Sequence, residues 1–304
     1  MKAQLYDLTH TTTYDYHSLV TVSHHLLRVS PRRLPRQVRL AHTIETDPLA
    51  ATTSQRTDYF GNDVTFATIE GAHRRLRVTS RSRVAVGPAF IPDPAETPQW
   101  ESVRGLCRGD RSSAALEAIE FTFPSPVIPL EPAFAAYAGV SFTPRRSILE
   151  AALDLTARIH ADFTFDATAT TVATPLLEVL EKRRGVCQDF AHFEIACVRS
   201  LGLPARYVSG YLETIPPPGQ PRLVGADASH AWVSLFCPGL GWVDLDPTNN
   251  CEPSLRHITA AWGRDYSDVS PIRGVLLGSG EHTLSVSVDV VPLGAVQLPA
   301  GDTD

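Results

Sequence analysis

Three residues of the chain, Cys187, His230 and Asp246, have the side chains that together make a nucleophile, its base and an orienting carboxylate. Cys187 follows a Gly-Val turn and precedes an apolar-faced helix, in the run from Arg184 to Phe190. A thiol at a helix N-terminus feels the positive end of the helix dipole, which lowers thiol pKa values and makes thiolate available near neutral pH. The order Cys, His, Asp therefore predicts an acyl-transfer site.

In this hypothesis Cys187 attacks a carbonyl carbon as thiolate, and His230 protonates the leaving amine as imidazolium. Asp246 accepts a hydrogen bond from the far ring nitrogen of His230 and fixes its tautomer. The backbone N–H of Cys187 is the expected oxyanion donor, and one such donor is worth about 3 kcal/mol in studied enzymes. The sequence does not identify a second donor.

A predicted hairpin brings His230 and Asp246 together. Directly opposed residues of antiparallel strands point to the same face, so pairing 230 with 246 requires a connection of odd length around Pro238-Gly239. One face of the hairpin would be apolar, with Ala231, Val233, Leu235, Val243 and Leu245. The other face would carry the polar and aromatic side chains of His230, Trp232, Ser234, Trp242, Asp244 and Asp246.

Two alternatives to a nucleophile are a core cysteine and a metal ligand. Free cysteines are commonly small core residues, and we interpret Cys107, Cys197, Cys237 and Cys251 in that way. On one helix, Cys187, His192 and Cys197 would lie at about 0°, 140° and 280°, on three different faces. The sequence shows no CxxC pair, HExxH run or calcium loop, so we expect no metal and no other cofactor.

Composition restricts the class of protein. The chain has 304 residues, 43% of them hydrophobic, and a net charge of -6, which is ordinary for a globular protein and argues against nucleic-acid or anionic-membrane partners. Five scattered cysteines suit reduced thiols, and neither a secretory signal nor an apolar run of roughly 18 residues is recognised. We expect a cytoplasmic protein with a peptide or protein substrate; its oligomeric state is not indicated.

Changes in hydrophobic period divide the chain into three expected segments of an α+β protein. Residues 1–90 are predicted as an antiparallel β domain, because 76–86 alternates apolar and arginine side chains and Gly61-Asn62 marks a turn. Residues 91–142, which are proline-rich, are expected to connect the domains over the surface. Residues 143–304 are predicted as the catalytic core, which also includes the final strand.

Within that core, helices are predicted to start at Thr143-Pro144, Thr174-Pro175 and Cys187, the last of them ending at Gly202. Ile148, Ala152, Leu155 and Ile159 form the apolar stripe of the first helix. Strands are expected at 205–212, 229–236 and 241–246, with a long final strand around 283–290. Candidate substrate contacts near the triad are Asp189, His192, Tyr211, Asp227 and Trp232.

Three segments resemble the motifs of the bacterial transglutaminase-like superfamily: RGVCQDFAH at 184–192, ASHAWV at 228–233 and GWVDLDPT at 241–248. LRVSP at 27–31, DYFGN at 58–62 and the segment 263–274 are similar to one large bacterial branch of that superfamily, in which a β domain precedes the core. The resemblance implies a papain-like core with Cys187, His230 and Asp246 in the triad positions. It also implies an enzyme that resembles peptidases or amidases, and the calcium sites of animal transglutaminases are not recognisable.

Three functions are compatible with these residues. The preferred hypothesis is hydrolysis of a peptide or amide bond through a thioester. The first alternative is transfer of the glutamine acyl group to an amine, which the same triad would catalyse if water were excluded. The second alternative is a peptide-binding module that retains the fold without catalysis. The residues do not separate hydrolysis from transfer, because the difference lies in the shape of the cleft.

Overall fold

The computed structural model describes residues 2–90, 92–109, 112–215, 228–278 and 281–297. The fold is α+β, as predicted, with two larger antiparallel sheets and helices packed around the second. The strands are β1 (Lys2–Leu27), β2 (Gln37–Asp47), β3 (Thr52–Thr57), β4 (Asp63–Val86), β5 (Thr164–Phe165), β6 (Arg184–Gly185), β7 (Ala205–Leu212), β8 (Ala228–Cys237), β9 (Gly241–Leu245), β10 (His257–Gly263), β11 (Ile272–Leu277) and β12 (His282–Gln297).

The helices are α1 (Trp100–Gly109), α2 (Ser113–Ile119), α3 (Pro132–Gly139), α4 (Ile148–Asp162), α5 (Leu176–Lys182), α6 (Cys187–Ser200) and α7 (Tyr266–Val269). Among the described residues, no helix is both long and apolar enough to cross a membrane.

The first sheet is built on the long strands β1 and β4 and has the order β11-β1-β4-β2, with β12 also paired to β1 and β3 to β4. The predicted strand 76–86 is confirmed as the second half of β4. Its even positions from Leu76 to Val86 are buried, while Arg77, Arg81 and Arg83 are exposed. The predicted turn at Gly61-Asn62 is confirmed in the β3–β4 connection, where Gly61 has a φ of +75° that favours glycine.

The final strand belongs to this first sheet, and its predicted place in the catalytic core is wrong. β12 pairs along β1 from Lys2↔Gln297 to Tyr16↔His282, and β11 pairs with the end of β1. Val288 packs with Tyr6 and Leu8 beneath the sheet. The alternation in the sequence identifies a strand, but it carries no information about the partner strand.

The segment 91–142 is not a surface connection, which corrects a second prediction. Its helices α1 and α3 bury Trp100 and Phe134 in the same core as the residues of α6. The Phe134 ring contacts Phe193 of α6 edge-on, with centroids 5.7 Å apart. Prolines are compatible with this packing because Pro132 occupies the first turn of α3, where its missing N–H removes no intrahelical bond.

Helix α4 begins at Ile148, later than the predicted Thr143-Pro144 start. Arg145 has a φ of +66°, which interrupts the helix, and Ser147 is extended at the N-cap. The predicted apolar stripe is confirmed, since Ile148, Ala152, Leu155 and Ile159 are fully buried. Helix α6 begins at Cys187 as predicted and ends shortly before Gly202, whose φ is +80°.

The second sheet has the order β10-β7-β8-β9. β8 and β9 are joined by residues 238–240 between the pair Cys237↔Gly241, so the predicted odd connection is confirmed. The pair Val233↔Leu245 shows, however, that the register differs from the prediction by two residues, since its continuation places Asp246 across from Trp232. Because the difference is two residues, His230 and Asp246 still lie on one face. The opposite face is apolar, as predicted.

The two sheets are joined at β10, the edge strand of the second sheet. The side-chain amide of Gln37 accepts from the N–H of Thr259 and donates to its carbonyl, both at 2.8 Å. The amide of Asn62 makes the same two bonds with Trp262, both at 2.9 Å. The N-terminal β domain thereby provides hydrogen-bond partners for backbone N–H and C=O groups that would otherwise be unpaired on an edge strand.

Candidate active site

Cys187 is the first helical residue of α6, and the residues before it fix that position. Val186 is extended, and its N–H donates to the carboxylate of Asp189 at 2.8 Å. Gly185 leaves room for this carboxylate, because a Cβ at position 185 would lie 2.5 Å from Asp189 Oδ2. The local sequence therefore holds the thiol in the first turn, where backbone N–H groups have no intrahelical acceptor.

The structure brings Cys187, His230 and Asp246 together from α6, β8 and the end of β9. Cys187 lies near enough to the His230 ring to help raise the pKa of that ring. On the other side of the ring, Nε2 lies 2.7 Å from Asp246 Oδ2. Cys187 is part-buried, whereas His230 is only 7% exposed and Asp246 is fully buried. The structure thus pairs the predicted imidazole and carboxylate, with the thiol at the start of α6.

Asp246 is the centre of a hydrogen-bond network. Its Oδ1 accepts from the backbone N–H groups of Thr248 at 2.9 Å and Asn249 at 3.1 Å. Its Oδ2 accepts from the side-chain amide of Asn249 at 2.7 Å in addition to His230. Burial by itself raises the pKa of Asp246, but the bonds from His230 and its neighbours outweigh burial and lower the pKa well below its ordinary value.

A second histidine, His257 of β10, also donates to Asp246 and was not found from the sequence. Its Nε2 lies 3.1 Å from Asp246 Oδ2, and its ring contacts Trp232 edge-on with centroids 5.3 Å apart. A single histidine at the start of a strand carries no distinguishing signal. Only the pairing of β10 with β7 places this residue beside the carboxylate.

The two histidines have opposite pKa shifts. Burial lowers the pKa of His230, but its hydrogen bonds to Asp246 and Cys187 and their charges raise it, with a net value of about 10. For His257, burial outweighs the bond to Asp246 and the pKa is lowered. At neutral pH the carboxylate therefore holds one charged ring, next to the thiol, and one neutral ring.

His230, Asp246 and His257 also form a set of potential metal ligands, with donor atoms within 4.8 Å of one another. Imidazole and carboxylate donors suit zinc. Both Nε2 atoms, however, face the same carboxylate oxygen at 2.7 and 3.1 Å, and a metal ligand must give up its proton. The raised pKa of His230 therefore favours the hydrogen-bonded arrangement over metal binding.

Asp189 and His192 were predicted to contact substrate, and the structure gives each a partner inside the protein. Asp189 is buried and accepts from Val186 and from the hydroxyl of Thr170, the latter at 2.6 Å. His192 is also buried, and its Nε2 accepts the backbone N–H of Tyr266 at 3.1 Å. Burial lowers the pKa of His192 to about 4, so its ring is neutral. Both side chains therefore have partners within the protein, and their contact with substrate stays a prediction.

Tyr211 and Trp232 are buried as well, and their contact with substrate also stays a prediction. Tyr211 packs in the cluster between the two sheets, and its hydroxyl lies 2.9 Å from Nδ1 of His10. Trp232 lies against the rings of His230 and His257, with centroid distances of 6.1 and 5.3 Å. Asp227, the fifth candidate contact, lies outside the described residues.

The comparisons with known proteins cover both parts of the chain. Residues 6–85 match the bacterial transglutaminase-like N-terminal region, and residues 138–247 match the transglutaminase-like superfamily core. An uncharacterised protein of Mycobacterium tuberculosis is 42% identical over 94% of this chain and 92% of its own length. One of Mycobacterium leprae is 34% identical over 94% and 98%, respectively.

Two more distant likenesses are a short sequence match and a shared fold. A protein-glutamine gamma-glutamyltransferase of Pseudomonas aeruginosa is 36% identical over 76 residues, which are 25% of this chain and 11% of that protein. The crystal structure of a candidate cysteine protease from Cytophaga hutchinsonii superimposes with a TM-score of 0.75 at 19% identity, covering 98% of this chain and 94% of the other, and so shares its fold. The chain therefore belongs to the transglutaminase-like superfamily, in the group that carries the bacterial transglutaminase-like N-terminal region.

Proposed function

We propose that this protein is a cysteine peptidase or amidase that hydrolyses a peptide or amide bond through a thioester. The observation that carries the proposal is the His230–Asp246 pair at 2.7 Å, together with the nearby Cys187 in the first turn of α6, which helps raise the pKa of His230. Membership of a superfamily whose members are generally enzymes supports it. The proposed partner is a peptide or protein substrate.

In the acylation step the Cys187 thiolate attacks the carbonyl carbon, and the N–H of Cys187 stabilises the oxyanion. His230 then donates its proton to the departing amine, and the C–N bond breaks to leave a thioester. The raised pKa of His230 supports this role, since a ring with a pKa of about 10 carries the proton at neutral pH. Asp246 keeps the charged ring oriented through the Nε2 bond.

In the deacylation step a water molecule attacks the thioester, and His230 accepts its proton as general base. The thiolate departs, the carboxylic acid is released, and the proton remains on His230. An amine in place of water would give a new amide. The likeness to the Pseudomonas gamma-glutamyltransferase, limited to 76 residues, makes this transfer the second candidate function.

Alkylation tests the nucleophile directly. Burial raises the pKa of Cys107 and Cys197, and raises the pKa of Cys237 and of Cys251 to about 11. Iodoacetamide at about pH 6 should therefore modify Cys187 well ahead of the other four thiols, because only thiolate reacts. Slow and equal labelling of all five, read by peptide mass, would contradict a catalytic thiol and favour a binding module.

The product separates hydrolysis from transfer. The full chain is incubated with a library of glutamine-containing peptides, with and without a primary amine, and the products are weighed. Hydrolysis predicts cleaved or deamidated peptides whose yield does not depend on the amine; amine adducts would defeat the hydrolase proposal. Cys187→Ala should abolish either product, whereas Cys107→Ala, a change in α1, should retain it.

All five cysteines are free thiols in the structure. Reduced thiols are typical of proteins that act in a reducing compartment. This supports, as part of the proposal, the cytoplasmic location that the cysteine pattern predicts.

A further inference from the structure

Arg206 of β7 lies in an aromatic stack at the junction of the two sheets. Its guanidinium carbon is 4.2 Å from the ring centre of Trp242 and 3.7 Å from that of Trp262. Arg32 of the N-terminal domain also stacks on Trp262, at 3.4 Å. Because indole rings contact the guanidinium of Arg206, a hydrogen-bond acceptor can approach it mainly along the edge of the guanidinium plane.

The guanidinium of Arg206 has no hydrogen-bond partner at Nε among the residues that the structure describes. The side chain is nevertheless buried, with 6% of the residue exposed. The carboxylate near it, Asp244, is in an ion pair with Arg36 at 3.3 Å. Burial lowers the pKa of Arg206 to about 9, so the group is still a cation at neutral pH. A buried N–H of a charged group is costly to leave without an acceptor unless a ligand or water completes it.

Arg206 lines a cavity of about 680 Å³ between the N-terminal domain and the core sheet. Its other walls are mostly apolar, with Leu34, Pro88, Phe90, Val208 and the two tryptophans. A cavity of this volume is within the range of small-molecule sites, which are typically apolar with a few polar groups. In the register of β7 with β8, Arg206 pairs with Ser234, which lies four residues after His230 on β8.

We propose that this cavity binds a carboxylate with an apolar body, of the size of one or two amino-acid residues, such as a peptide C-terminus or a free carboxylic acid. A carboxylate can accept two parallel N–H bonds along the edge of a guanidinium, which is the direction that the stack leaves open. The apolar walls would contact the body of the ligand. The site does not depend on the catalytic residues and is independent of the proposed function.

The test uses N-acetylphenylalanine and N-acetylphenylalaninamide, which differ only in the carboxylate, in calorimetric titrations of the full chain. The acid should bind at least tenfold more tightly than the amide, and Arg206→Met should remove this preference. Phe90→Ala should weaken the acid at least threefold without unfolding, because Phe90 is 81% exposed. Arg77→Met, on an exposed position of β4, should change nothing.

Several outcomes would overturn the proposal. Equal affinity for acid and amide would show that the guanidinium is not used. Inorganic phosphate bound as tightly as the acid would show that the apolar walls contribute nothing. Loss of acid binding after alkylation of Cys187 would place the ligand in the active-site cleft. If Arg206→Met does not fold, the acid-to-amide ratio and the Phe90 variant decide the question.

Discussion

Replacing Asp246 with asparagine tests the electrostatic role of the carboxylate while preserving much of its geometry. An asparagine side-chain oxygen can still accept the backbone N–H groups of Thr248 and Asn249, which bind Oδ1 in the structure. The charge is lost, however, and the new amide can donate to Nε2 of His230. Such a bond would favour the wrong tautomer of the ring. We expect a folded protein with a defective proton donor.

The expected magnitude follows from the pKa of His230. Its value of about 10 stands against an ordinary value of 6.5, and each unit corresponds to about 1.4 kcal/mol, or roughly 5 kcal/mol in all. Asp246 and Cys187 share this stabilisation of the imidazolium. Loss of the Asp246 share should reduce kcat/KM by about a thousandfold or more, as loss of the carboxylate does in a serine protease triad.

The pH dependence gives a sharper measurement than the rate alone. In the wild type, activity should fall at alkaline pH as His230 loses the proton that it must donate, near its pKa of about 10. In Asp246→Asn this alkaline limb should move down by about 2 units, because the carboxylate no longer favours the charged ring. The assay is kcat/KM for a peptide substrate from about pH 5 to pH 11, with far-UV circular dichroism to confirm folding.

Asp244→Asn is the matched control. Asp244 lies two residues earlier on β9, with its carboxylate paired to Arg36 at 3.3 Å. This variant should keep kcat/KM within about threefold and leave the alkaline limb in place, since a part-exposed ion pair contributes little. An unchanged alkaline limb in Asp246→Asn, or an equal shift in both variants, would refute the role assigned to Asp246.

Three further changes have defined outcomes. His257→Phe removes the 3.1 Å bond to Asp246 and should lower kcat/KM by about tenfold, less than Asp246→Asn; equal losses would show that His257 does more than position the carboxylate. Glu194, buried in α6, has a pKa raised by burial to about 8 from 4.5, so its contribution to stability is present below pH 4.5 and lost as pH rises through 8. In urea unfolding, the stability of the wild type relative to Glu194→Gln should therefore fall over that window by on the order of 4 kcal/mol, and a constant difference would contradict the shift. Gly185→Ala should lower kcat/KM by at least tenfold, since its Cβ would lie 2.5 Å from the carboxylate that caps α6. Gly105→Ala should not, because its Cβ would meet nothing within 4 Å beyond its chain neighbours and its own helix backbone.

The sequence by itself determined the local elements and the residue types of the site. Cys187 at the start of α6 follows from the end of one periodic segment and the start of another, and both faces of the β8–β9 hairpin follow from alternation. The odd length of the connection was sufficient to place His230 and Asp246 on one face of the sheet, although the observed register differs from the predicted one by two residues. These features depend on neighbours in the sequence, so the sequence pattern contains them.

The tertiary structure decided everything that depends on pairing between distant segments. Alternation around 283–290 indicates a strand, but only the long register with β1 assigns it to the first sheet. No local sequence signal marks His257 or Arg206. His257 lies beside the carboxylate of Asp246 because β10 carries it there. Arg206 contacts two tryptophans that lie on different strands. The fold likewise gave Asp189 and His192 their partners, Thr170 and Tyr266, which lie far from them in the sequence. Local periodicity fixes which face a side chain takes, whereas its partners depend on contacts that the sequence order does not encode.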